Sequence, residues 1–184
     1  MNIKTAIVLI GAAAVIAIVL LINISDQKDI SPRPEIAYDS ANRVDKEVTK
    51  QSFLKTAGSL KLVRIIEGNE AQKQISRLHR SSISMENGFI AAYRGNGEDK
   101  MTIWVSIHKD SKEAESIIAK MHKKIDSVTG FQNHQDLDIS GNVYHFVTGL
   151  GQSHYFYYRG NDAIWIGIAS PEEMKILSEV IHML

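Results

Sequence analysis

The sequence predicts an α+β domain, a mainly antiparallel sheet with about three helices, preceded by an N-terminal transmembrane helix. Three observations lead there. Residues 5–24 are uncharged and rich in Ile, Val, Leu and Ala. A strand-turn-strand-helix pattern then occurs twice. Tyr93-Arg94-Gly95-Asn96 leads to Ile103-Trp104-Val105-Ser106-Ile107 and a helix opened by Asp110, while Tyr158-Arg159-Gly160-Asn161 leads to Ile164-Trp165-Ile166-Gly167-Ile168 and a helix opened by Ser170. Finally, the helices follow strand pairs instead of alternating with single strands, which favours an antiparallel layer over parallel βαβ units.

The apolar run is twenty residues long, which at about 1.5 Å per residue matches a ~30 Å hydrocarbon core. It ends Leu20-Leu21-Ile22-Asn23-Ile24-Ser25, with no small-x-small cleavage site of the kind a secretory signal carries. Residues 1–24 are therefore expected to be an uncleaved anchor with a short cytoplasmic tail. A signal-anchor at the start of a chain exports the residues on its C-terminal side, so the body is expected outside the cytoplasm, at the cell membrane. Residues 25–56 read as a polar linker, held extended around Ser31-Pro32-Arg33-Pro34, where proline removes donors and restricts its neighbour. A mixed charged run at 39–54, with Val44, Val48 and Phe53 near helical spacing, reads as a partly helical stalk. The soluble domain is expected at 57–184, about 125 residues and enough for a real core.

Within it, residues 60–67 alternate as a strand, ended by Gly68. Asn69 is the expected N-cap of the next helix, with Gln72 as its capping partner and Ala71, Ile75 and Leu78 on its buried stripe. Residues 88–94 and 101–108 form the first strand pair. Asp110 and Glu113 form a capping box for a helix whose apolar face runs Ala114, Ile117, Ile118, Met121, Ile125, Val128. Residues 136–139, 143–148, 154–159 and 163–168 form a meander, turning at Ser140-Gly141-Asn142 and at Leu150-Gly151-Gln152-Ser153. Ser170, Pro171 and Glu173 open a last helix with Met174, Leu177, Val180, Ile181 and Leu184 facing inward.

If the helices share one face with the rows Ile103, Val105, Ile107 and Ile164, Ile166, Ile168, alternation sends Trp104, Ser106, His108, Trp165 and Gly167 to the opposite face. An even-length turn after Arg159 adds His154, Phe156 and Tyr158 to it. That aromatic face has no evident helix cover. It is the candidate binding or interface surface, formed by Trp104, Trp165, Phe156, Tyr158 and His154, with Arg94 and Arg159 repeated in register just before the turns. The alternative is a second small core covered by the helix after Asn69.

Composition excludes much chemistry. Lys+Arg and Asp+Glu both number 21, so no global field attracts nucleic acid, which is not an expected partner. The absence of cysteine removes disulfides, thiolate zinc sites, cysteine-held iron-sulfur clusters, covalent c-type haem and a lipoprotein anchor. There is no Gly-x-Ser-x-Gly elbow, and Gly149-Leu150-Gly151 lacks the helix that would aim amides at a phosphate. The 7 histidines include no His-x-x-x-His pair. Only His108, His145 and His154 could converge across neighbouring strands, and Asp136 and Asp138 read as a solvated edge. No catalytic residue, metal or cofactor is expected. The functional expectation is a single-pass membrane-anchored, extracytoplasmic, non-enzymatic interaction or assembly domain, contacting the membrane through residues 5–24 and a second copy or a protein partner through the aromatic face. The alternative is a binding protein for a small apolar or lipid-like ligand held between the sheet and a helix.

Overall fold

The computed structural model describes residues 48–79, 83–139 and 141–184. The expected anchor (1–24), most of the expected linker, Arg80 and Ser140 lie outside the described residues. Among the described residues, no helix is long and apolar enough to cross a membrane.

The domain is α+β. A short 3-10 turn (Lys50–Ser52) precedes β1 (Thr56–Ala57), β2 (Leu60–Glu67), α1 (Gly68–His79), β3 (Asn87–Arg94), β4 (Lys100–Ile107), α2 (Ser111–Ile125), β5 (Phe131–Ile139), β6 (Asn142–Gly149), β7 (Gln152–Arg159), β8 (Asp162–Ala169) and α3 (Glu173–Met183). One eight-stranded sheet runs in the order β1-β2-β3-β4-β8-β7-β6-β5, antiparallel at every pairing. The two expected hairpins thus sit side by side at its centre, joined through β4 and β8.

The helices depart from the expectation of a single covered face. The isoleucine rows of β4 and β8 pack against Ile176, Leu177, Val180 and Ile181 of α3, while Ala114, Ile118, Met121 and Ile125 of α2 pack on Trp165 and Phe156. Ala71 and Ile75 of α1 take the same side as α2, against Ile90. The sheet is therefore covered on both faces, and the two strand-strand-helix units are not equivalent in the fold. β8 already carries the reason. Its Ala163-Ile164-Trp165-Ile166-Gly167-Ile168 is buried at every position, an unbroken apolar run typical of a strand sheltered on both sides.

Several local expectations shift by a residue or two. α1 begins at Gly68, which has positive φ, so Asn69 lies inside the helix. The Gln72 amide donates to the carbonyls of Met85 and Glu86 instead of closing a capping box. Asp110 does cap α2, its Oδ1 accepting from the Glu113 amide at 3.0 Å. Ser170 accepts from the Glu172 amide, but Glu173 turns to the sheet and accepts from the hydroxyls of Tyr155 and Ser153. Met174, expected inside, is 63% exposed, and Ile176 takes the inward position. Val48 and Phe53, expected in the linker, are buried in the α3-side core. The Gly58 and Ser59 amides are held by Glu179 and Glu172.

Two substitutions probe this frame. A Cβ on Gly149 would lie 2.3 Å from the Gly130 carbonyl oxygen and 2.7 Å from Phe131, and backbone cannot move aside as a flexible side chain can. Gly149→Ala is expected to destabilise the fold by about 2–3 kcal/mol in urea denaturation. Leu150, exposed in the β6–β7 turn, sits at φ 55 next to Gly151 at φ 71. That left-handed geometry disfavours a Cβ, so Leu150→Gly is expected to stabilise the fold by about 1 kcal/mol in the same assay.

Candidate functional site

One cross-strand row organises the face under α1 and α2. Reading across the sheet, Ile66 pairs with Ile90, Ile90 with Trp104, Trp104 with Trp165, Trp165 with Phe156, Phe156 with His145, and His145 with Asp136. Directly opposed residues share a face, so this row passes from aliphatic through aromatic to polar. The two-residue Gly160-Asn161 turn between Arg159 and Asp162 is even, so His154, Phe156 and Tyr158 share the tryptophan face as expected.

The row is covered, contrary to the open face expected. Trp165, Phe156 and His154 are 7%, 0% and 4% exposed beneath α2, while Trp104 and Tyr158 are partly buried at its margins. Phe156 stacks on Trp165, with ring centroids 4.9 Å apart and planes inclined by 11°. Of the arginines, Arg94 is exposed opposite Lys100 at the end of β3, and Arg159 is half-buried opposite Asp162 at the end of β7. The structure does not bring them to the aromatic row.

Between α1 and α2 the cover is incomplete, and a cleft reaches down to the sheet. Trp104, Ser106 and Trp165 form its floor. Ile75, Leu78 and His79 of α1 form one wall and Ile117, Ile118 and Met121 of α2 the other. The space is ≈ 50 Å³, about a third of the ~150 Å³ apolar cavity that accommodates benzene. Two polar groups border this apolar space. Burial, with a smaller contribution from His108, lowers the His79 pKa to about 4, leaving the imidazole neutral at physiological pH. The Ser106 hydroxyl meets His108 Nε2 at 2.9 Å, and His108 Nδ1 donates to the Ser84 carbonyl at 3.0 Å. An apolar pocket with a few convergent polar groups is the usual form of a small-molecule site. Among the described residues, no nucleophile with an acid-oriented base borders it, since His108 is oriented by a backbone carbonyl.

The three histidines that neighbouring strands could have brought together go to separate places. His108 is held between the Ser106 hydroxyl and the Ser84 carbonyl. His154 is held between Trp165, whose Nε1–H donates to His154 Nδ1 at 3.1 Å, and the Gly149 carbonyl, which accepts from Nε2 at 3.0 Å. Only His145 enters a cluster, together with His122, His134 and Asp136, whose ligand-type atoms all lie within 4.8 Å of one another. His122 comes from α2, His134 and Asp136 from β5, and His145 from β6. His145 Nδ1 is 2.7 Å from Asp136 Oδ1, and His134 Nε2 is 3.2 Å from His122 Nδ1. Burial and the neighbouring His145 and His134 pull the His122 pKa below its ordinary value, against the opposing pull of Asp136 and Asp126.

This cluster was missed because β5 was expected only at 136–139. The pairing of β5 with β6 slips between Gln132 and Gln135, and Asn133 has φ 58. That bulge turns His134 onto the face of Phe131 and Asp136, where strict alternation from Phe131 would have placed Asn133. The available signal was His134-x-Asp136 at strand period, one hairpin away from His145.

His154 gives the face a pH dependence. Burial lowers its pKa from 6.5 to about 4. Between those values the unfolded chain binds the extra proton, so stability is complete above pH 6.5 and falls as the pH drops toward 4, by about 3 kcal/mol. His154→Gln, which keeps one donor and one acceptor, is expected to remove that increment from the wild-type difference in urea stability between pH 7 and pH 4. No family model, curated protein or solved structure matches the chain, so function is argued from this geometry.

Proposed function

We infer that the chain is a membrane-tethered, extracytoplasmic, non-enzymatic binding protein whose ligand is a small apolar or lipid-like molecule inserted between α1 and α2. The cleft over Trp104 carries this reading. Its lining is almost wholly apolar, its polar groups are uncharged, and it borders the aromatic row that the sequence singles out. A space of ≈ 50 Å³ suits the slim end of an alkyl chain, with the rest of the ligand at the cleft mouth. Apolar burial supplies about 0.8 kcal/mol per methylene. The assembly reading, by contrast, relies on rings that α2 covers. Membrane tethering rests on the uncharged run at residues 5–24.

The test is a titration of the purified full chain with a medium-chain alcohol such as n-octanol, followed by tryptophan fluorescence. Trp104 and Trp165 are the chain's 2 tryptophans, and both border the cleft, so occupancy is expected to give a saturable change. Ile117→Trp, which places an indole across the space, is expected to weaken the apparent affinity at least tenfold, read by competition with the wild type, while leaving the circular dichroism unchanged. Absence of saturation, or equal affinity in a folded Ile117→Trp variant, would overturn the reading.

A further inference from the structure

At the polar end of the aromatic row, the side chains of His122, His134, Asp136 and His145 point to a metal centre. We propose that these four residues bind one divalent first-row transition-metal ion, with Zn2+ the best match, and that the ion fastens α2 to the β5–β6 edge of the sheet. The site uses none of the residues that line the apolar cleft.

The donor set gives the first reason. Three imidazole nitrogens and one carboxylate oxygen are the ligands of zinc and its neighbours, whereas calcium and magnesium take oxygen shells. The chain has no cysteine, so a zinc site here must be built from such groups. His134 also has its donor atom selected. Its Nδ1–H donates to Asp126 Oδ1 at 2.8 Å, which leaves Nε2 as the lone-pair nitrogen facing the cluster. A carboxylate behind a ligating histidine is the usual outer support of zinc sites.

Distances supply the second reason. Tetrahedral Zn2+ with bonds of about 2.0–2.1 Å requires its donors about 3.3 Å apart. His122 Nδ1 lies 3.2 Å from His134 Nε2 and 3.6 Å from Asp136 Oδ1, already near the edges of that tetrahedron. The 2.7 Å contact of His145 Nδ1 with Asp136 Oδ1 must open by about half an ångström, and the Nδ1 protons of His145 and His122 pass to their own Nε2 atoms by a change of tautomer, so that a hydrogen bond is exchanged for two metal bonds.

The surroundings also fit. Phe156 lies beneath the histidines, its ring centroid 5.1 Å from that of His145 and 6.4 Å from that of His134, and gives the site a dry floor. The His122 and Asp136 side chains are 34% and 41% exposed, leaving an entry path from solvent. Asp136 and Asp126 together offset the charge of a divalent cation.

The experiment is isothermal titration calorimetry of the chelator-treated full chain with ZnCl2. Saturable binding of one ion per chain is expected, with no comparable binding of Ca2+ or Mg2+. His134→Ala and His145→Ala are each expected to lower zinc affinity more than about 100-fold, and Asp126→Ala, which removes only the outer support, about 10-fold or more. His182→Ala, on the exposed face of α3, is expected to leave affinity unchanged. Because a cluster variant can fail to fold, the wild type is also read by histidine ring 15N NMR. Zinc is expected to move Nδ1 of His122 and His145 and Nε2 of His134, leaving the buried His108 and His154 in place. No saturable zinc binding, shifts confined to other histidines, or full affinity in folded His134→Ala and His145→Ala would each overturn the proposal and identify the cluster as a hydrogen-bond network only.

Discussion

The pairing of β4 with β8 is the constraint on which the rest of the domain depends. Its ladder, from Lys100 opposite Ala169 to Ile107 opposite Asp162, joins the two halves of the sheet. It brings together segments about sixty residues apart in sequence, so its loop-closure cost is met before the contacts it permits can form. It also fixes what each face presents. With Trp104 opposite Trp165, the isoleucines fall to α3 and the aromatic rings to α2. A slip of one residue would send the whole set to the wrong side. The large apolar side chains on both faces make that slip costly, and so specify the register.

Much of this architecture was legible in the chain. The antiparallel α+β class, the N-cap at Asp110 and the shared face of Trp104, Trp165, Phe156 and His154 follow from period-two alternation, turn length and capping chemistry. All of these are local. Which face each helix takes was not legible, because α2 and α3 have similar apolar stripes and both faces of β4 and β8 are apolar. The unbroken apolar run of β8 was a sign of two-sided cover. Polar convergence was less legible still. His122, His134 and His145 are brought together by one bulge and one helix placement, of which the only local trace in the sequence is the strand-period pair His134-x-Asp136. Aromatic residues marked the right face, but for core packing at Phe156 and Trp165 and for a cleft floor at Trp104.

α2 serves both candidate sites. Ile117 and Ile118 form a wall of the apolar cleft, and one turn later His122 reaches the polar cluster. The buried stripe through Ala114, Ile118, Met121 and Ile125 sets the depth of the helix over the sheet, and with it the width of the cleft and the reach of His122. The stability of the aromatic core and the geometry of the two sites are therefore linked through one rigid element, since close-packed side chains transmit displacement instead of absorbing it.

The bulge at Asn133 has one more consequence. β5 is the last strand of the sheet, and an outermost strand leaves one row of backbone donors and acceptors unpaired by the sheet, a template on which another extended chain can add. The left-handed residue at Asn133 interrupts the straight ladder such a chain would need, and Asp136 and Asp138 place negative charge along the rest of the strand. At the far side, β1 is only two residues long. The kink that turns His134 inward thus also blunts an edge, so that neighbouring copies of the domain are discouraged from extending one another's sheets into a fibril.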